Sequence, residues 1–249
     1  MRRRNYSGWM AIGVLLISLL TGCGEKETGS VVTSDQATGD TRPAKYNCRD
    51  NWTIFGDLYD TPGKPKGVVI LLHQRGGSGD DWHSLSLAIR QAGYEAFAID
   101  QRGTGRSTAG PGQTGEFAPW DTTPDIEGAV YAMKDKGPIM LIGASYGANN
   151  ALRYAAANPT IIRSLVLFSP STDYHGLKTL DAVKKYKGPL LMFHAKDDKV
   201  AGDGPMDLDK ASGSKNRKLR ILEGAGHGIA LLNPDTAQQT LDFIVRTLK

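Results

Sequence analysis

Ser145 sits in Gly143-Ala144-Ser145-Tyr146-Gly147, with the apolar run Ile139-Met140-Leu141-Ile142 before it and a helix-like stretch, residues 148–157, after it. A serine at a sharp strand-to-helix turn holds its hydroxyl clear of the sheet. Glycine on either side suits such a turn, because a side chain there would collide with neighbouring backbone. A serine hydroxyl is a poor nucleophile at neutral pH until a base takes its proton. His227, in Gly224-Ala225-Gly226-His227-Gly228, is a candidate base. Asp173, Asp197 and Asp198 follow the ends of apolar runs and are candidate acids. Such a set carries out acyl transfer: the hydroxyl attacks an acyl carbon, the imidazole moves its proton, and a carboxylate orients the imidazole.

Four other histidines compete for the base. His73 ends an apolar run at a glycine-rich loop, His83 lies at a polar helix start, His175 lies in a loop, and His194 ends a run just before Asp197 and Asp198. Their settings suit structural or solvated roles. None has a metal-ligand spacing such as His-x-x-x-His, so no metal is expected. The glycines of residues 76–79 and 103–105 are not followed by Gly-Lys-Ser/Thr, so they form no phosphate loop and no cofactor is expected.

These residues need a scaffold, and the chain alternates strand-like and helix-like segments. Residues 67–72, 94–99, 139–142, 163–168, 189–193 and 218–222 are strand-like, the central ones apolar without alternation. Helices are expected over residues 82–92, from Thr123, and over 148–157, 179–186, 203–211 and 235–248. Continuous apolar strands between helices predict an α/β fold, a mostly parallel sheet with helices on both faces. Ligands bind such sheets at the carboxyl ends of the strands, where the candidate residues lie. Residues 52–59 alternate apolar and polar and read as an edge strand. Residues 108–124 read as a surface loop.

Ahead of this domain, Met1-Arg2-Arg3-Arg4 is followed by an apolar stretch at residues 9–20, short for a bilayer span and suited to a secretory signal. Its end, Leu20-Thr21-Gly22-Cys23, resembles the bacterial lipobox, which implies cleavage after residue 22 and lipid on Cys23. Gly24 stands where aspartate retains lipoproteins in the inner membrane, which implies the outer membrane in a Gram-negative host. Three organised parts are expected: a signal at 1–22, a flexible tether at 23–45 rich in Gly, Ser, Thr, Asp and Glu, and a domain at 46–249. The net charge of +4 includes Arg2, Arg3 and Arg4. Without them 27 of the 30 basic side chains face 26 acidic ones, and nothing favours nucleic acid as a partner. With Cys23 lipidated, Cys48 has no internal partner and reads as a small packed side chain.

Within the domain four patterns together resemble the alpha/beta-hydrolase family. His73-Gln74-Arg75-Gly76 resembles its oxyanion loop, usually His-Gly-x-Gly. Asp100-Gln101-Arg102-Gly103-Thr104-Gly105-Arg106-Ser107 resembles its Asp-x-Arg-Gly-x-Gly-x-Ser loop. Residues 143–147 are its nucleophile elbow, and residues 224–228 resemble its catalytic-histidine loop. The match runs from about Val68 onward, in the family's order of serine, acid, histidine. The resemblance implies Ser145 as nucleophile and His227 as base. His194-Ala195-Lys196-Asp197-Asp198-Lys199-Val200 is similar to the family's His-Gly-x-x-Asp-x-Val and implies Asp198 as the acid. The oxyanion donors would be the N–H groups of Tyr146 and of Arg75, with Gln74, where glycine is commoner, as the alternative. Residues 169–188 leave no room for a cap domain. An open site is expected, walled by Trp82, Phe117, Trp120 and Tyr174.

The resemblance implies a monomeric serine hydrolase, with a small-molecule carboxylic ester as its partner and a lipid anchor in the membrane of the cell envelope. The same residues would serve an acyltransferase or a peptidase, and a fold of this kind can also persist as a non-catalytic binding or scaffold protein.

Overall fold

The computed structural model describes residues 32–33, 41–108, 110, 121–224 and 226–249. The signal segment and Cys23 lie outside the described residues, as do residues 24–31 and 34–40 of the expected tether.

Strands β1 (Val32–Thr33), β2 (Arg42–Asn47), β3 (Thr53–Tyr59), β4 (Val68–Leu72), β5 (Glu95–Asp100), β6 (Ile139–Ala144), β7 (Ile162–Phe168), β8 (Leu190–Ala195) and β9 (Arg217–Leu222) form one nine-stranded sheet. Its order is β1-β2-β3-β5-β4-β6-β7-β8-β9. The pairs β1–β2, β2–β3 and β3–β5 are antiparallel, and every pair from β5–β4 to β8–β9 is parallel. The helices are α1 (His83–Gln91), α2 (Thr123–Met133), α3 (Tyr146–Ala157), α4 (Leu180–Lys185), α5 (Gly204–Ala211) and α6 (Pro234–Thr247).

Burial on both faces explains the unbroken apolar runs. In β4, Val68, Ile70 and Leu72 join one core with side chains of α2, α3, α4 and α5, while Val69 and Leu71 join the other with side chains of α1 and α6. Each fully buried aliphatic side chain contributes roughly 1.5–3 kcal/mol. α6 begins with a capping box: Asn233 Oδ1 accepts the Thr236 N–H at 3.0 Å, and Thr236 Oγ1 accepts the Asn233 N–H at 2.9 Å.

Two expectations are corrected. Residues 53–59 are not an edge strand, because β2 pairs with β3 along its outer side. The expected tether gives way to structure before residue 45. Arg42–Asn47 is a strand with buried Ala44 and Tyr46, and Val32–Thr33 pairs with Lys45 and Ala44. Their backbone hydrogen bonds go to a strand that local composition does not reveal.

Candidate active site

β6 ends at Ala144, and Ser145 follows with φ 51° and ψ −119° as the cap residue of α3. Its N–H donates to Phe168 O at 2.8 Å, tying the turn to the end of β7. The flanking glycines are dictated by contact. A Cβ on Gly143 would lie 2.6 Å from Gly147 O, and one on Gly147 would lie 2.5 Å from His73 O.

Ser145, His227 and Asp198 come together from three loops. His227 Nε2 is 2.7 Å from Ser145 Oγ, and His227 Nδ1 is 3.0 Å from both Asp198 oxygens. A carboxylate can only accept, so Nδ1 carries the proton and Nε2 faces the hydroxyl as acceptor. Asp198 Oδ1 also accepts the N–H groups of Val200 (3.1 Å) and Ala201 (3.0 Å). Burial alone would push the Asp198 carboxyl up. The Ala201 N–H, the Ser169 hydroxyl and His227 outweigh it and hold the group below the usual carboxylate range. Asp197 is exposed, and Asp173 is an exposed turn residue accepting the Gly176 N–H at 2.8 Å. Neither pairs with His227.

The turn after β4 is built on His73. Its Nδ1 donates to Gln74 O at 2.7 Å, and its Nε2 accepts the Gln101 N–H at 3.0 Å. Burial lowers its pKa, which suits a neutral ring with one fixed tautomer. Gln101 Nε2 donates to His73 O at 2.8 Å. The loop after β5 is held by carboxylates. Asp100 accepts the Gly79 N–H (2.8 Å) and the Arg106 guanidinium (2.8 Å), and Arg102 donates to buried Asp125 (2.6 Å) and to Asp50 (2.6 Å). This second loop is a frame for the first.

Arg75 follows Gln74 in this turn, and Tyr146 opens α3. Burial, and after it the charge of Asp125, pushes the Tyr146 hydroxyl up. Tyr174 is half-buried, edge-on to His175 at 4.7 Å. Trp82 does not line the site. The 3-10 turn Gly79–Trp82 carries its ring into the core, fully buried and 5.9 Å from Phe168. Phe117 and Trp120 lie outside the described residues. Cys48 is buried and free, its Sγ 3.8 Å from Asp125 Oδ1, and burial pushes its thiol up, away from the reactive thiolate.

Two residues of the site carried no signal of this role in the sequence. Gln74 stood out only as a departure from glycine, yet its Oε1 accepts the Ile229 N–H at 2.8 Å, just beyond His227. Ser169 marked only the end of a strand, yet its Oγ accepts the Gly228 N–H at 2.9 Å.

Residues 67–185 match the family described as the alpha/beta hydrolase fold. A curated relative from Rattus norvegicus, "Putative protein-lysine deacylase ABHD14B", is 30% identical over 198 residues, covering 74% of this chain and 87% of that protein. The chain belongs to the alpha/beta-hydrolase family, and a hydrolase is the class that this fold and site define. Among solved structures, the Pyrococcus furiosus esterase Pf2001 superposes with a TM-score of 0.72 at 18% identity, over 89% of this chain and 100% of that one. Est1E from Butyrivibrio proteoclasticus, solved with ferulic acid, gives 0.69 at 18% identity, over 82% and 98%. At these identities the two structures speak for the fold alone.

Proposed function

We propose that the protein is a serine hydrolase that cleaves carboxylic esters through an acyl-enzyme. The observation that carries this reading is the continuous chain Ser145 Oγ, His227, Asp198, with contacts of 2.7 and 3.0 Å. His227 Nε2 takes the hydroxyl proton as Oγ attacks the acyl carbon. The same proton then passes to the departing alkoxide, whose bond to the acyl carbon breaks. Water repeats the sequence on the acyl-enzyme, releasing the acid and restoring Ser145. Asp198 stays ionised and stabilises the imidazolium. The N–H groups of Tyr146 and Arg75 hold the oxyanion, each contributing about 3 kcal/mol in the transition state. Arg75 is the positional match for the second donor, with the N–H of Gln74 as the alternative.

A second substrate class, amides of acylated lysine, is favoured by the likeness to the rat protein, itself named a putative protein-lysine deacylase. The triad serves both, the leaving group being an amine instead of an alcohol. We also propose that cleavage before Cys23 and its lipidation anchor the protein in the cell envelope, in the outer membrane of a Gram-negative host. The support is the apolar stretch at residues 9–20 and the Leu20-Thr21-Gly22-Cys23 sequence. Several buried acyl chains give stable anchoring at about 0.8 kcal/mol per methylene.

The test pairs wild type with Ser145→Ala. Both are treated with a fluorophosphonate probe and with p-nitrophenyl esters from acetyl to palmitoyl, alongside acetyl-lysine peptides. Wild type is expected to label and to prefer short acyl groups, because residues 169–188 supply one short helix and no cap. Ser145→Ala is expected to fold, to resist the probe and to lose turnover. Labelling or turnover that persists in the folded variant removes Ser145 as nucleophile. Turnover of the lysine peptides well above that of every ester moves the substrate to the amide class.

A further inference from the structure

Ser169 follows β7 with φ 50°, in the left-handed region that costs a side-chain-bearing residue about 1 kcal/mol or more. Its N–H donates to Phe193 O at 2.9 Å, so the pairing of β7 with β8 runs on into the strained residue and holds it. The backbone turn puts the side chain between two loops, only 1% exposed. There Ser169 Oγ accepts the N–H of Gly228, the residue directly after His227. A hydroxyl that accepts one bond keeps a proton to donate. The same hydroxyl is among the groups that lower the Asp198 carboxyl. One buried hydroxyl therefore holds the backbone that carries the imidazole and acts electrostatically on the carboxylate that orients it. Gly228 has φ 58°, and a Cβ there would lie 2.1 Å from Gln74 Oε1. The loop is thus held from its far side as well.

We propose that Ser169 is a positioning residue of the hydrolytic reaction, setting the place of His227 against Ser145 and Asp198 through the backbone of Gly228. It contacts no reacting atom and acts through the loop that carries the imidazole. The proposal rests on the serine-hydrolase reading. It also accounts for the strain: a relaxed backbone after β7 would aim the hydroxyl elsewhere, and the distortion persists where three loops converge. Without the hydroxyl, the buried Gly228 N–H loses its acceptor. The imidazole then samples orientations in which Nε2 no longer meets Ser145 Oγ. Substrate contacts made by other residues stay as they are.

The experiment compares Ser169→Gly, Ser169→Ala and Ser145→Ala with wild type on an ester that wild type turns over. Thermal midpoints are recorded, and folded sites are counted by circular dichroism. Ser169→Gly removes the hydroxyl and relieves the positive φ, so backbone strain cannot account for its defect. Ser169→Ala keeps the Cβ and serves as the second variant should the glycine loosen the loop. The expected result is kcat per folded molecule lower by about 10- to 100-fold in both, within the range for a buried N–H left without its acceptor. KM should stay within about twofold, and the rate of fluorophosphonate labelling should fall in parallel with kcat. A hydroxyl with only a structural role would lower the thermal midpoint and leave kcat per folded molecule unchanged. Either folded variant with kcat within about twofold of wild type overturns the proposal, while an inert Ser145→Ala in the same series leaves the hydrolase reading standing. Turnover that survives in Ser145→Ala overturns both.

Discussion

Gln74 and Ile229, 155 residues apart in the chain, are joined by a hydrogen bond of 2.8 Å in which the side-chain Oε1 of one accepts the backbone N–H of the other. The loop after β4, which carries the proposed oxyanion donor, is fastened in this way to the loop that carries His227. Glycine, the commoner residue at position 74 in this family, has no side chain with which to make the bond.

Gln74→Leu, similar in size but without the acceptor, leaves the Ile229 N–H without that bond. A lost partner of this kind costs about 1–3 kcal/mol. In a domain of this size that corresponds to a fall of about 3–10 °C in thermal midpoint. Turnover should drop about tenfold at the same time, because the oxyanion loop and the histidine loop lose their common reference. Calorimetry with steady-state kinetics on the same sample checks both. A midpoint and a kcat equal to wild type would mean that the loops hold their places without this bond.

The three candidate acids separate by substitution. Asp198→Asn keeps the shape and reverses the hydrogen bond to Nδ1, which favours the wrong imidazole tautomer and should cost about 10⁴ in turnover. Asp197→Asn and Asp173→Asn change exposed carboxylates away from the imidazole and should cost about tenfold or less. Kinetics on the three folded variants decides the assignment, and a large loss at either exposed position would transfer the acid role there.

Asp198 also links stability to pH. Its carboxyl lies below the ordinary range, near 3.9 for an aspartate in an unfolded chain. The bonds to Ala201 and His227 therefore stabilise the fold fully above about pH 4. That contribution is lost as the pH falls through the lower folded-state value. Wild type should exceed Asp198→Asn in thermal midpoint by a constant margin at about pH 5 to 8, and the margin should shrink below about pH 4. A margin that is unchanged down to about pH 3 would show that this carboxylate is not the group that titrates.

Cys23→Ser should block incorporation of lipid and leave either precursor or released protein. Metabolic labelling with a palmitate analogue reads this directly. Equal label in wild type and variant would rule out Cys23 as the acceptor and return residues 1–22 to the status of an ordinary signal.

The parts of the fold that the sequence discloses are those whose residues are buried on both sides. β4 and β6 are apolar from end to end, and β7 and β8 over most of their length, because helices cover both faces, and a residue that bears chemistry just after such a run marks itself. Ser145 and Asp198 are legible for this reason, whereas His227 follows the half-exposed β9 and is legible only through the glycine-rich pattern of residues 224–228. β2 was not, since Arg42, Lys45 and Asn47 hide a strand whose stability comes from pairing with β3. Residues 52–59 read as an edge because their alternation records one side chain in and one out, and says nothing of a neighbour in the plane. Trp82 misled because an aromatic residue beside a glycine-rich loop resembles a pocket wall, and only the 3-10 turn reveals that it points inward. Ser169 depends on a positive φ and on a bond to Gly228, 59 residues further on, and neither leaves a local trace.

The outward march of strands from β6 through β7 and β8 to β9 also sets an order in time. A chain made from its amino end completes the elbow when β6 and α3 have formed, and gains its acid after β8, but the imidazole arrives only past β9. Leu231 just beyond His227, and Phe243 and Ile244 of α6, then close the core over the face shared with α1. On the proposed serine-hydrolase reading, the nucleophile is thus built early and left unarmed, and the step that arms it is the same step that seals the fold. An unfinished or half-folded copy would then carry the serine without its reactivity, and hydrolysis would be confined to molecules that have completed their assembly.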